Sequence, residues 1–213
     1  PKTSSAASDV YKRQIINKYT KEAQISTMIS NMVELIERNT FIVNLIKKCR
    51  EDINRKILVL SDRLDHLDYL LGEVDKLDIG TTGKYIGGMK QSKLDESEDA
   101  DIIFSTYSMS SEALDISSLN TIILGTSRRN VEQSVGRILR KQKGNYLSQP
   151  LVVDVVDDIK TFINQSYTRK AYYKKITDYD NIKTFTYENG EIKEDQNKKI
   201  KKPESKFADS DSE

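Results

Sequence analysis

The segment NVEQSVGRILRK, residues 130–141, concentrates side chains that bind phosphate. On a helix, Gln133, Arg137 and Arg140 share one face, with Gly136 beside them. Guanidinium groups are always charged and match the geometry of phosphate oxygens. Asn130 is placed to cap the helix, with Gln133 completing a variant of the capping box. The segment predicts an anion-binding helix, although a capped surface helix with a basic outer face explains the same pattern.

The opposite face of this helix is apolar. Val131, Val135, Ile138 and Leu139 recur there at helical spacing. We expect this face to pack on a core, which would hold the polar face in a fixed orientation.

The composition indicates a globular body with charged flanks, since 37% of the 213 residues are hydrophobic and 31% are charged. The net charge of +1 leaves any argument for nucleic-acid binding to local patches. The single cysteine, Cys49, is predicted to be a buried or half-buried thiol in a reducing compartment. With His66 as the single histidine, the chain lacks the ligands for a disulfide framework or a zinc site. The sequence has no membrane-length apolar run and no secretory signal, so we expect an intracellular protein with no membrane partner.

The first 14 residues have no amphipathic period and resemble the read-through of a sequencing adapter, so we expect residues 1–14 to be a non-native extension. Native chain would then precede residue 15. Residues 15–53 predict a helical lead-in of two helices, with a break near Asn39 and with Thr40 capping the second.

Residues 54–158 alternate between strands and helices or crossovers. Short apolar runs predict strands at residues 56–61, 83–88, 102–105, 121–124 and 151–156. Residues 62–77 predict a helix whose inward positions are Leu64, Leu67, Leu70, Leu71 and Val74. Residues 92–101 are interpreted as an acidic polar segment and residues 106–116 as a turn region. This order predicts an α/β fold with a parallel sheet and helices on both faces.

Ligands in such folds bind at the carboxyl ends of the strands. The residues that fall at these ends are Ser61, Gly87, Gly88, Ser105, Thr106 and residues 126–129. The acids that follow the last strand, Asp154, Asp157 and Asp158, suggest either a metal site or a strand-end cap.

Residues 159–192 predict a basic helix and a hairpin extension. The helix carries Lys160, Arg169, Lys170, Lys174 and Lys175, interleaved with tyrosines and without an acid. Such a pattern fits either contact with a nucleic-acid backbone or a solvated closing helix. Residues 193–213 have no apolar period and predict a disordered, charged tail.

With these elements in order, residues 25–175 resemble the C-terminal RecA-like lobe of a superfamily-two helicase. Four motifs carry the resemblance, and they occur in the family's order: ILVLSDRLDHLDYL, YIGG, TYSMSSEALDI followed by SLNTIIL, and QSVGRILR. The last matches the family pattern Gln-x-x-Gly-Arg-x-x-Arg. The chain is most similar to helicases of large cytoplasmic DNA viruses, of the poxvirus late-transcription type, which implies the cytoplasm, a viral factory or the virion as its location. Two departures from the family pattern, Ala113 for glycine and Ser117 for proline, affect the loop alone.

The resemblance implies how the arginine helix would be used. Arg137 and Arg140 would act as arginine fingers on the γ-phosphate of ATP, and Gln133 would sense that phosphate. Asp115 would contact the ribose or hold the arginine helix in register, with Glu112 as a weaker member of the same group.

The resemblance also implies contacts with a single strand of DNA, or of RNA, at the strand ends. Ser61, Arg63, Gly88, Ser105 and Thr106 would meet the sugar-phosphate backbone through hydroxyl, guanidinium and main-chain N–H groups. A structural interpretation stays open, in which Ser61 and Thr106 terminate strands and Arg63 pairs with an acid of its own helix.

A P-loop and an acidic Mg²⁺ motif do not occur in these 213 residues. The resemblance implies that an N-terminal ATP-binding lobe of the same protein mainly holds ATP and Mg²⁺. Two other hypotheses stay open: a non-catalytic nucleic-acid-binding or adaptor module, and a small-molecule site at the sheet, which lacks the expected Gly-x-Gly-x-x-Gly.

Overall fold

Five short strands pair in parallel to form the central sheet of this computed structural model, which describes residues 14–112, 116–138, 147–188 and 190–195. The strands are β1 (Ile57–Leu60), β2 (Thr82–Tyr85), β3 (Ile102–Ser105), β4 (Thr121–Leu124) and β5 (Leu151–Asp154). Their order in the sheet is β2-β3-β1-β4-β5. The predicted parallel α/β sheet is confirmed.

The helices are α1 (Ile25–Val33), α2 (Ile36–Arg50), α3 (Leu64–Asp75), α4 (Gln91–Asp99), α5 (Tyr107–Glu112), α6 (Glu132–Ile138) and α7 (Lys160–Ile176). One face of the sheet, with Ile57, Val59 and Phe104, packs against α2 and α3. The side chains that alternate with these, such as Leu58 and Ile103, are also fully buried, so both faces of the sheet are covered.

The chain divides into two compact units, residues 1–171 and 172–213, and the division falls inside α7. The first unit contains the sheet and helices α1 to α6. The second unit contains a short 3₁₀ helix (Tyr179–Asn181) and an antiparallel hairpin of β6 (Phe185–Glu188) and β7 (Glu191–Glu194), which confirms the predicted hairpin.

Three local predictions were wrong. The lead-in helices are separated at Glu34–Leu35 and not near Asn39. Asn39 lies inside α2, and its side-chain amide donates to the carbonyl of Val33 at the end of α1. Thr40 is therefore inside a helix and caps nothing. Leu64, predicted to point inward, is 48% exposed because it is the first residue of α3.

The acidic segment forms helix α4, which the sequence analysis missed. Only Leu94 and Ser97 of this helix are buried, so its apolar face is too small to give a pattern. The helix lies very close to β2: a Cβ on Gly83 would meet the backbone of Ser97 at 2.9 Å. The turn region at residues 106–116 likewise contains a helix, α5.

Candidate functional site at the carboxyl edge of the sheet

Parallel pairing brings the ends of β1, β3 and β4 together. The backbone N–H of Ser61 donates to the carbonyl of Ser105 at 3.2 Å, and that of Gly125 donates to the carbonyl of Leu60 at 2.8 Å. A Cβ on Gly125 would meet the same Leu60 oxygen at 2.9 Å, so this close approach requires glycine. The predicted strand-end residues therefore share one edge of the sheet.

Ser61 and Arg63 are engaged in contacts within the lobe. The Ser61 side chain is fully buried, and its Oγ lies 2.9 Å from Nδ1 of His66 and accepts from the N–H of Arg63 at 3.1 Å. The Arg63 guanidinium donates to the Ser26 carbonyl at 2.8 Å and to Ser30 Oγ at 3.0 Å. Both contacts tie the start of α3 to α1. The expected pairing of Arg63 with an acid of its own helix was therefore wrong, because the guanidinium reaches α1 instead.

Thr106 and Gly88 are more accessible at the same edge. Thr106 is half-buried; its Oγ1 lies 3.2 Å from Ser108 Oγ and accepts from the N–H of Met109, so it caps α5. Ser105 is fully buried. Gly88 is exposed, has a φ of +82°, and has no described atom within 4 Å of an added Cβ.

Helix α6 contains the described part of the arginine segment. It begins at Glu132, and the N–H of Glu132 donates to Asn130 Oδ1 at 3.1 Å, so Asn130 satisfies one backbone donor at the start of the helix. Val131 and Val135 are buried and Gln133 is exposed, which confirms the amphipathic orientation for these positions.

The structure describes only some of the remaining predicted site residues. The backbone puts Arg137 one turn after Gln133 on α6, and Gly136 is half-buried between them. Asp115, Leu139 and Arg140 lie outside the described residues, as do the side chains of Glu112, Arg137 and Ile138.

A cleft of about 300 Å³ lies between α5 and the N-terminal part of α6. Its walls are mostly polar: Tyr107, Ser111, Arg128, Asn130, Val131, Glu132, Gln133 and Ser134. Its two helices are joined by the buried hydroxyls of Ser110 and Ser134, which are 2.9 Å apart. The exposed residues Glu132 and Gln133 of α6 line this cleft.

Arg128 lines this cleft, and no role of its own was predicted for it. Its Nη1 donates to Asp62 Oδ1 at 2.9 Å, and its Cζ lies 5.5 Å from the ring centre of Tyr107. The Tyr107 hydroxyl donates to the carbonyl of Thr126 at 2.6 Å. Burial, with a smaller contribution from nearby carboxylates, raises the pKa of Tyr107 above its usual value, so the hydroxyl remains a donor.

Arg169 of the basic helix belongs to the interior. It is 1% exposed, binds Asp154 through two hydrogen bonds of 2.8 Å, and donates to the carbonyl of Arg128 at 2.6 Å. Its charge is therefore not part of a strand-binding surface. A single arginine that anchors a basic helix gives no periodic signal that would separate it from exposed lysines.

A second buried network holds the lead-in to the same edge. Arg38 binds Asp157, and His66 lies between Ser61 and Asn39, with Nε2 3.1 Å from Asn39 Oδ1. Burial, with help from the Arg38 charge, lowers the pKa of His66 to about 3, so the imidazole is neutral at physiological pH.

Two of the three acids at the end of β5 therefore have arginine partners: Asp154 pairs with Arg169 and Asp157 pairs with Arg38. Among the described residues, no group of three or more His, Cys, Asp or Glu side chains is arranged to hold a metal ion. Within the same residues, no helix combines the length and apolarity needed to cross a membrane.

No family model matches the chain. It is 45% identical over 167 residues to a protein of Acanthamoeba polyphaga mimivirus named "Putative ATP-dependent RNA helicase", a match that covers 77% of this chain and 32% of that protein. African swine fever virus proteins of the same description are 34% identical over 90 residues, which cover 42% of this chain and about 18% of theirs. The chain thus spans about a third or less of the relatives it matches.

Solved structures agree on the fold. T4 UvsW superposes with a TM-score of 0.57 at 18% identity, over 80% of this chain and 37% of that one. The C-terminal domain of the DEAD-box protein Dbp5 gives 0.53 at 13% identity, over 67% of this chain and 82% of that domain. The chain is thus similar in sequence to proteins of large DNA viruses that are described as putative ATP-dependent RNA helicases, and it has the RecA-like α/β fold of helicase C-terminal domains such as that of Dbp5.

Proposed function

We propose that this lobe is the second motor lobe of an ATP-dependent nucleic-acid helicase or translocase. In this proposal it closes on a P-loop lobe that mainly holds ATP and Mg²⁺, and it contributes α6 to the γ-phosphate. The observation that carries the proposal is the orientation of α6: Val131 and Val135 anchor it in the core, while Gln133 faces solvent beside the polar cleft. In the sequence, Arg137 and Arg140 come four and seven positions after Gln133, the spacing that predicts a shared helix face.

An anchored helix suits this role because electrostatic stabilisation of a transition state needs charges that are already in place. Arginine fingers in phosphoryl transfer account for about 10³- to 10⁵-fold in kcat. The lobe itself would be inactive without its partner, since ATP closes the two lobes and hydrolysis lets them open.

On the nucleic-acid side, we propose that Thr106 and Gly88 meet the backbone of a single strand through hydroxyl and main-chain N–H groups. Both are accessible at the carboxyl edge, whereas Ser61, Arg63 and Ser105 support that edge from within the lobe. Because the viral relatives are described as RNA helicases, single-stranded RNA is the first substrate to test, with DNA of the same sequence as the comparison.

The test is ATP turnover by the complete polypeptide that joins this lobe to a P-loop lobe. Arg140→Ala should lower kcat at least about 10³-fold while the dissociation constant for ATP changes little. Arg129→Ala, which removes an exposed arginine ahead of α6, is the matched control and should keep near wild-type turnover. Wild-type kcat in Arg140→Ala would exclude the arginine-finger role.

Assays of the same complete polypeptide distinguish the alternative function, a nucleic-acid-binding or adaptor module without catalysis. It predicts salt-sensitive strand binding with no ATP turnover in the wild type.

A further inference from the structure

Arg128 lies where three strand ends meet. Its partner Asp62 follows Ser61 at the end of β1, and the Tyr107 ring beneath it follows Thr106 at the end of β3. Its own loop follows β4 and leads through Asn130 into α6. One side chain therefore contacts residues that follow β1 and β3 while it belongs to the segment that leads into the arginine helix.

Two hydrogen bonds hold this loop to the neighbouring elements. Thr126 Oγ1 accepts from the N–H of Asp62 at 2.9 Å, and the carbonyl of Arg128 accepts from Arg169 at 2.6 Å. The Arg128 side chain, in contrast, remains 46% exposed, and its Asp62 partner is 22% exposed. The guanidinium is thus the accessible part of this loop.

We propose that Arg128 is a positioning residue that couples strand occupancy to α6. The inference rests on the proposed motor function. A phosphodiester at the Thr106 edge competes with Asp62 for the guanidinium, because phosphate and carboxylate present the same acceptor geometry to arginine. Exchange of partner changes the contact that holds the loop just before Asn130, and with it the orientation of Gln133 and the residues that follow.

Two variants of the complete helicase should have opposite effects. Arg128→Ala removes the link, so the ratio of kcat with saturating strand to kcat without strand should fall about tenfold, within the range of site-to-site coupling energies. Asp62→Asn keeps the shape of the side chain but frees Arg128, so strand-independent kcat should rise several-fold toward the stimulated value. A merely structural role predicts the same direction of change in both variants.

The experiment measures steady-state ATP turnover at zero and saturating single-stranded RNA, with thermal melting of every variant. Arg129→Ala is the control and should keep the wild-type ratio. A wild-type ratio in Arg128→Ala, or a loss of strand-independent turnover in Asp62→Asn, would overturn the coupling role. If Arg128→Ala fails to fold, Asp62→Asn decides alone. A wild-type enzyme whose turnover is unaffected by any strand would instead refute the proposed motor function.

Discussion

Arg38 binds Asp157 through two parallel hydrogen bonds, from Nε to Oδ1 at 2.6 Å and from Nη2 to Oδ2 at 3.0 Å. Nη2 also donates to the carbonyl of Gly125 at 2.6 Å. The Arg38 side chain is 8% exposed and that of Asp157 is 15% exposed. Helix α2 is thereby tied to the loops after β4 and β5, so the lead-in is a structural part of the lobe.

Asp157→Ala should destabilise the chain by about 3–5 kcal/mol, because it leaves a buried guanidinium without its counter-charge. Arg38→Met should cost less, since it fills a similar volume and leaves the more exposed partner behind. The measurement is urea unfolding of the chain. Lys48→Ala removes an exposed ion pair with Glu51 and serves as the control with a change of about 0.5 kcal/mol or less. Equally small losses in the free energy of unfolding of all three variants would contradict a stabilising role for the buried Arg38–Asp157 pair.

Acid should destabilise the fold through His66. The pKa of the folded state, about 3, lies below the unfolded value near 6.5, so the unfolded chain binds the extra proton between these values. The stability is full above pH 6.5 and is lost as the pH falls toward 3, at up to about 1.4 kcal/mol per pH unit. His66→Gln should flatten this part of the profile relative to wild type. Parallel stability profiles of wild type and His66→Gln from pH 7 to pH 5 would contradict a lowered pKa of His66.

The substitution Gly136→Ala should change stability and ATP turnover in opposite directions. No described atom lies within 4 Å of an added Cβ, so Gly136→Ala should stabilise α6 by about 0.5–1 kcal/mol. If the phosphate of ATP approaches the backbone here, the same variant should lower kcat in the complete helicase. Gly125→Ala is the contrast, since its Cβ would meet the Leu60 carbonyl and should destabilise the chain. Thermal melting and turnover of both variants make the comparison.

Substitutions of the basic residues of α7 should have two different effects, on stability or on strand binding. Arg169→Ala should cost about 3 kcal/mol, because it leaves the Asp154 carboxylate without its partner. Lys160→Ala removes an exposed charge and should leave stability unchanged, and if α7 contacts a strand it should reduce the salt dependence of binding by about one phosphate. Salt titrations of RNA binding, paired with urea unfolding, measure both effects. A reversed assignment of the two effects would show that Arg169 is on the binding surface.

The sequence predicted the sheet and the amphipathic α6 because both have strong periodic patterns. Fully buried parallel strands such as Ile102–Ser105 are continuous apolar runs, and Val131 and Val135 repeat at helical spacing. Helix α4 was missed because its packing rests on one leucine, one serine and a glycine on the facing strand. A glycine within a strand can mark a close backbone approach, but it does not identify the helix that makes it.

The parts of the site that could not be predicted are those built by pairing of distant residues. Arg38 and Asp157 are 119 positions apart, and Arg128 reaches Asp62 across 66. Ser61 and Arg63 were predicted at the correct edge, yet their hydrogen bonds go to α1 and His66. The type of a residue at a strand end predicts its place in the fold, whereas its partner depends on tertiary structure.

The strand order has a consequence for synthesis and folding. β1 lies at the centre of the sheet, but its neighbours are residues 102–105 and 121–124, both supplied much later in the chain. Until these residues have left the ribosome, the fully apolar run Ile57–Leu60 has two unpaired edges. Long-range parallel pairing of this kind is slow and prone to aggregation. Nascent chains that stop before β4 should therefore require chaperones.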